Sequence, residues 1–330
     1  MVKRLLRIVI GLVVILLLIT AGSYGYFWYT PRPQLPQTSA TVQNGNIQVG
    51  TLNRTYLYYI PANLPAHAPL LFVFHGSLQD SAGMRVSTAY EFEMLADTNK
   101  FIVVYPDGYM GNWDDCRSQA NYPAHTQHID DEGLVKALIA HFQTTNAIDS
   151  THVFAMGYSN GGQMANRLAV EMPGVIAAVA TVASNLPTVD NNDCQLSGKP
   201  IPALIMAGTR DPISPFDGGI VSLFGFQPRG SVISSPATVQ YFANLAGYTT
   251  APEPTILPHQ ATSGSTLVSV IDYQAAGKPE VEGYTINGGG HVVPQPTYTF
   301  PRLLGSTTHD VDAPAVIWAF FARQSPLVSP

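Results

Sequence analysis

Short apolar runs recur along the chain, and segments with helical spacing lie between them. LLFVFHG (70–76), FIVVYP (101–106), THVFAMG (151–157), AAVATVAS (177–184) and PALIMAG (202–208) carry apolar side chains at successive positions. Successive side chains of a strand point to opposite faces, so such runs predict strands covered on both sides. Between them, Thr88–Thr98 and DEGLVKALIAHFQ (from Asp130 or Asp131) have helical spacing. GQMANRLAVEM does too, with Met164, Leu168 and Met172 in register until Pro173. TVQYFANLAG (238–247) predicts another helix, and Asp312 with Pro314 opens a last one. IQVGTLNRTYLYYIP supplies one or two early strands, and LVSVIDY and VEGYTING two late ones. This alternation predicts an α/β domain: a mainly parallel central sheet with helices on both faces. The stretches 107–128 and 212–237 lack periodicity and are long for loops, as segments that shape a pocket often are.

The N-terminus is of another kind. Lys3, Arg4 and Arg7 precede an uncharged, mainly apolar stretch from Ile8 to Thr30 that ends in Tyr26, Phe27, Trp28 and Tyr29. That length spans a bilayer as a helix, and the aromatic run suits the far interface. Residues 1–30 are therefore a signal anchor, or a signal peptide cleaved near Ala21. Either delivers the rest outside the cytoplasm, membrane-anchored or released as a secreted or periplasmic protein. Residues 31–46 are rich in proline, glutamine and small polar residues and are expected to be a flexible tether. The folded domain is expected over 47–330. With a formal charge of −6, and three of its 16 basic residues in the leader, the chain is a poor match for a nucleic-acid partner.

One strand runs straight into chemistry. THVFAMG runs on into YSNGG and then at once into a helix, so Ser159 stands between Gly157 and Gly161 in the spacing G-x-S-x-G. A serine on a sharp strand-to-helix turn is a nucleophile candidate; the glycines admit the tight turn. An acid and a base must follow. Asp211 comes just after PALIMAG in GTRDP, with Asp217 in reserve, and His291 ends the glycine-rich NGGGH. Ser–Asp–His is the chain order of hydrolases that use such an elbow. An oxyanion needs backbone donors, for which Asn160 N–H, after the nucleophile, and Ser77 N–H, in HGS, are the candidates. His75 suits a loop-shaping role.

The cluster HTQHIDDE offers His125, His128, Asp130, Asp131 and Glu132. It lacks an HExxH pattern and overlaps a helix cap, and the serine chemistry needs neither metal nor cofactor. Cys116 and Cys194, the two cysteines, are expected to form one disulfide in an exported protein. Asn53-Arg54-Thr55 fits a glycosylation acceptor.

From about Thr55 to Phe321 the chain resembles the secreted polyhydroxybutyrate-depolymerase-like esterases, relatives of the feruloyl and acetylxylan esterases in the α/β-hydrolase superfamily. The marks are LFVFHGS, FIVVYPDG, NWDDC, IDDEGLV, GYSNGGQMANRLA, GTRDPISPFDGG, GGGH and VIWAFF. The resemblance implies an α/β-hydrolase fold, Ser159 as nucleophile, Asp211 as acid and His291 as base. It implies Ser77 and Asn160 as oxyanion donors, a structural Asp131, and a Cys116–Cys194 bond bracing loops near the site. It implies a serine carboxylic-ester hydrolase working through an acyl-enzyme on hydroxyalkanoate oligomers or on feruloyl or acetyl esters of polysaccharide. An acyltransferase with the same residues is the alternative; a silent surface-binding protein is the remaining one. Where such esterases often carry GGGHxWP, this chain has GGGHVVP, so Val293 replaces a tryptophan and substrate preference transfers poorly. Oligomeric state is left open.

Overall fold

The computed structural model describes residues 2–324; the last six residues of the expected domain lie outside the described residues. Helix α1 (Val2–Phe27) is, among the described residues, the one helix long and apolar enough to cross a membrane. Its side chains from Leu12 to Ile19 are exposed, and only its C-terminal end approaches the domain. This suits an anchor and a cleavable signal equally.

The expected tether is held along the domain. Ser39 N–H donates to Asp97 Oδ2 at 2.7 Å, and Ala40 N–H to the Tyr59 hydroxyl at 3.2 Å. Strand β1 (Gln43–Val49) begins before the expected Ile47 and pairs antiparallel with β2 (Leu52–Tyr59). Ser39, which composition assigns to solvent, here hydrogen-bonds the domain.

The domain then alternates as the sequence predicts: β3 (Leu70–Phe74), α2 (Ser81–Ser87), α3 (Glu91–Asn99), β4 (Ile102–Pro106), α4 (Pro123–Thr126), α5 (Asp131–Asn146), β5 (Val153–Tyr158), α6 (Asn160–Glu171), β6 (Ala178–Val182) and β7 (Ala203–Gly208). A small hairpin, β8 (Gly219–Ile220) and β9 (Ser231–Val232), precedes α7 (Ser235–Leu245). Strands β10 (Thr255–Ile256), β11 (Leu267–Tyr273) and β12 (Val281–Asn287) and helix α8 (Ala313–Ala322) complete it.

Ten strands form one sheet in the order β1-β2-β4-β3-β5-β6-β7-β12-β11-β10. The pairs from β4 to β12 are parallel and the flanking pairs antiparallel. The apolar runs are the central strands, and their alternation divides the core. Leu70, Phe72 and Phe74 face a layer containing Leu134, Leu138, Met164, Leu168 and Phe242. Leu71 and Val73 face Met84, Phe92, Ile317, Trp318 and Phe321. Helices α5, α6 and α7 thus cover one face and α2, α3 and α8 the other. This is an α/β-hydrolase fold.

Two short helices, α2 and α4, are missing from the sequence reading, because each is under three turns and its boundary is set by a cap or a proline. Asp80 caps α2 by accepting from Gly83 N–H at 2.7 Å. Helix α7 starts three residues earlier than expected, where the Ser234 hydroxyl accepts from Ala237 N–H and Pro236 occupies the first turn.

Candidate active site

The parallel strands bring their C-terminal ends to one edge, where ligand-facing groups gather in open α/β sheets. Strand β5 turns there into α6 through Ser159, whose φ of 55° and ψ of −119° lie outside the regions ordinary residues favour. The flanking glycines let the turn close. A Cβ on Gly157 would stand 2.0 Å from the Gly161 carbonyl oxygen, and one on Gly161 would stand 2.3 Å from that of Phe74. Ser159 N–H donates to Val182 O at 2.9 Å, fixing the turn to β6.

Ser159 Oγ and His291 Nε2 lie 2.8 Å apart, and His291 Nδ1 and Asp211 Oδ2 lie 2.7 Å apart. Asp211 follows β7. Its Oδ1 accepts from the N–H groups of Ile213 and Ser214, both at 2.8 Å. The carboxylate is thereby held with one oxygen on its own turn and the other on the imidazole. Asp217, the reserve acid, is exposed on the turn before β8. His291 follows β12, and its loop is pressed against a neighbouring one. A Cβ on Gly290 would meet Leu304 O at 2.1 Å, His291 N–H donates to Leu304 O, and the Tyr158 hydroxyl donates to His291 O. The side chains of Asp211 and His291 are nearly closed to solvent.

Beside Ser159, the N–H groups of Asn160 and Ser77 have no acceptor among the described residues. Asn160 opens α6, where the helix dipole adds to the donor. His75 is neutral and fully used. Burial lowers its pKa, Nδ1 lies 2.7 Å from the Gly76 carbonyl oxygen, and Nε2 accepts from Gly108 N–H at 2.8 Å. It ties the loop after β3 to the one after β4. A cavity of about 320 Å³ opens over Ser159, with Ser77, Leu78, Ile213, Phe224, Leu304 and Trp28 in its wall. Val293 is no part of that wall; it is fully buried in the core.

A buried polar network, not anticipated from the sequence, surrounds the two free N–H groups. Asn160 Nδ2 donates to Asp115 Oδ2 at 2.6 Å, and Trp113 N–H donates to Asn160 Oδ1 at 2.9 Å. Burial opposes the charge of Asp115, but Arg117, bonded through Nε and Nη2, and the Tyr122 hydroxyl hold its pKa below the ordinary value. Arg229 lies over the Tyr122 ring and donates to Ser77 Oγ. Cys116 and Cys194 form a disulfide that joins this loop to the segment before β7.

The HTQHIDDE donors are dispersed. Asp130 caps α5, Asp131 accepts from Arg54 at 2.7 Å and from Asp114 N–H at 2.8 Å, and His125 lies 2.7 Å from Asp114. Burial raises the Asp131 carboxyl despite Arg54. Another acidic group, Asp272, Glu280 and Glu282, has its two glutamates bridged by Arg323.

Fold and site together define a serine hydrolase of the α/β-hydrolase superfamily. A model of the dienelactone hydrolase family matches residues 65–221, a stretch that includes Ser159 and Asp211 but ends before His291. NocK of Nocardia uniformis subsp. tsuyamanensis, assigned by name to the esterases, is 28% identical over 84% of this chain and 82% of its own length. Poly(3-hydroxyalkanoate) depolymerase C of Paucimonas lemoignei is 27% identical over 77% of this chain, which spans only 62% of that protein. An acetyl xylan esterase from Aspergillus awamori superposes with a TM-score of 0.53 at 18% identity, covering 78% of this chain and 96% of its own, a likeness of fold. The chain is similar to α/β-hydrolase esterases and distant from each of these.

Proposed function

We propose that the protein hydrolyses carboxylic esters through a Ser159 acyl-enzyme. The observation that carries this reading is the hydrogen-bonded series Ser159–His291–Asp211 beside two unpaired backbone N–H groups. His291 Nε2 takes the Ser159 proton as Oγ attacks the ester carbonyl, and Asp211 holds the ring with Nδ1 protonated. Asn160 and Ser77 N–H receive the oxyanion. The alcohol departs with the proton from His291, and water then repeats the sequence to release the acid.

Short hydroxyalkanoate oligomers are the substrate class we favour, with feruloyl or acetyl esters of polysaccharide next. Likeness to the hydroxyalkanoate depolymerase supports the first, and the cavity, near the lower end of the ~300–1,000 Å³ common for ligand sites, takes one small acyl unit at a time. The test is a panel of hydroxybutyrate oligomers, feruloyl and acetyl sugar esters and short aryl esters, with Ser159→Ala as control. Turnover that survives this substitution overturns the reading; acyl transfer to an added sugar or lipid alcohol in preference to water replaces it with an acyltransferase.

A further inference from the structure

Trp28, just beyond the end of α1, lines the same cavity as Ser159 and His291. The end of the apolar helix is fixed there. The Arg302 guanidinium lies 4.4 Å from the Tyr26 ring centre, the Thr30 hydroxyl donates to Thr299 O, and Leu303 shares a second hollow with Thr20, Tyr24 and Trp28. Tryptophan and tyrosine at the end of a spanning helix settle at the headgroup level. That layer is about 5–8 Å deep on each side of the hydrocarbon core. An anchor that ends on the wall of the cavity therefore sets the mouth of the site at headgroup depth.

The rim around the mouth is apolar and open. Leu78 is 72% exposed, Met110 66% and Phe226 76%. Leu78 lines the cavity, and backbone bonds tie the other two to residues at its wall. Leu78 N–H donates to Gly111 O at 2.8 Å, beside Met110, and Phe226 exchanges two hydrogen bonds with Leu223, a cavity residue like the adjoining Phe224. Large apolar side chains grouped around an opening mark a membrane or partner contact. Here the anchor that ends on the same rim decides in favour of the membrane.

We propose that the site is also fed from the bilayer: beside the esters named above, it takes an acyl ester dissolved in the leaflet on which the domain sits, a short acyl group on a long-chain alcohol. This inference rests on the hydrolase reading above and on retention of α1. The small cavity takes the acyl group, while the alcohol chain lies along the rim with its tail in the lipid. Ser159 Oγ bonds to the acyl carbon as the bond to the alcohol oxygen breaks. The proton passes from Ser159 to His291 and then to the alcohol, which stays in the bilayer; water releases the short acid to the aqueous side.

The test uses the full chain in vesicles of diether phosphatidylcholine, which contain no carboxylic ester. Hexadecyl butyrate in the vesicles is compared with ethyl butyrate in the surrounding water. Hexadecyl butyrate hydrolysis is expected to fall as its mole fraction in the membrane is diluted with more diether lipid at constant bulk concentration. A Met110→Ser/Phe226→Ser double variant is expected to lose about ten-fold on hexadecyl butyrate, as partial insertion of two large apolar side chains implies, and to stay within about two-fold on ethyl butyrate. The ethyl ester also verifies folding. Ser159-dependent cleavage of ethyl butyrate with none of hexadecyl butyrate, a rate that follows bulk concentration alone, or a double variant that treats both esters alike overturns the membrane-fed site and leaves the hydrolase standing. Cleavage of neither ester by the wild-type chain overturns both.

Discussion

Arg229 donates a hydrogen bond to the hydroxyl of Ser77, 152 residues away in sequence. Among the described residues no carboxylate pairs with Arg229, and burial together with nearby Arg117 lowers its pKa. A buried guanidinium in that state is costly. What it obtains is contact with the Tyr122 ring, and through Tyr122 and Asp115 a connection to Asn160. The two proposed oxyanion donors, Ser77 from the loop after β3 and Asn160 from the start of α6, are thus joined behind the site by one polar network. Arg229 is a positioning residue in this arrangement. Arg229→Met is expected to lower kcat roughly ten-fold with KM nearly unchanged, less than the ~100-fold or more of losing a donor outright, because both N–H groups remain. Arg229→Lys should recover part of the loss. A change in KM alone, in steady-state kinetics on a short aryl ester, contradicts this role.

Asp211 has separable duties. One oxygen accepts from its own turn and the other faces His291. Asparagine can keep its Oδ1 on the Ile213 and Ser214 N–H groups while presenting an amide to the imidazole, which reverses the tautomer. Asp211→Asn is therefore expected to leave thermal stability nearly unchanged and to reduce kcat by about 10⁴-fold. Stopped-assay kinetics and a melting curve on the same sample check the two halves. Activity within ten-fold of wild type would remove Asp211 from the proposed set.

The disulfide closes a sequence separation of 78 residues, from the loop after β4 to the segment before β7. Chain entropy alone assigns such a loop about 4.5 kcal/mol of stability, and measured bridges commonly give ~2–4. Cys116→Ser/Cys194→Ser is expected to lose ~2–4 kcal/mol in urea unfolding. The double serine variant should also lose activity, since Cys116 adjoins the Asp115 that holds Asn160. A stability unchanged within about 0.5 kcal/mol would contradict the expected structural weight of the bond.

His125 lies against Asp114, with Asp193 at 3.6 Å and Arg167 on the other oxygen of Asp114. The hydrogen bond to Asp114 raises the pKa of the imidazole and outweighs burial, which lowers it. A histidine raised above its unfolded value of about 6.5 contributes stability that is fully present below that pH and is lost as pH rises through the folded value. The difference in unfolding free energy between wild type and His125→Asn is therefore expected to be larger at pH 5.5 than at pH 8.5. An equal or reversed difference refutes the assignment, and an NMR titration of the ring gives the direction independently.

The fold was readable because its central strands are apolar on both faces, which few other elements can be, and because helical spacing separates them. That the candidates Ser159, Asp211 and His291 meet was readable for a related reason: each follows a strand of the same sheet, so order along the chain already implies a shared edge. Arg229 and the Asp115–Tyr122 network were not. Their partners lie in long irregular loops, and the pairing is fixed only when the loops after β3, β4 and β9's hairpin meet. Trp28 illustrates the same limit. Its aromatic character suggests an interface, but only the packing of α1 against Arg302 and Leu303 brings it to the cavity. Ser39 and Asp97 show the converse, since a polar stretch reads as solvent-loving whether or not a partner waits for it.

Gly161 offers the strictest test of the elbow. A Cβ there would stand 2.3 Å from the Phe74 carbonyl oxygen and 2.5 Å from that of His75. Those atoms belong to the end of β3 and the loop bearing Ser77, so relief requires moving either a central strand or a proposed oxyanion donor. Gly161→Ala is expected to cost ~1–3 kcal/mol, the usual range for overpacking, and to reduce kcat at least ten-fold. Gly174, where an added Cβ would have nothing within 4 Å, is the control: Gly174→Ala should leave both quantities near wild type. Denaturant midpoints and initial rates for the two variants decide the matter. If Gly161→Ala matches Gly174→Ala in both, the close approach of α6 to β3 does not hold Ser159 in place.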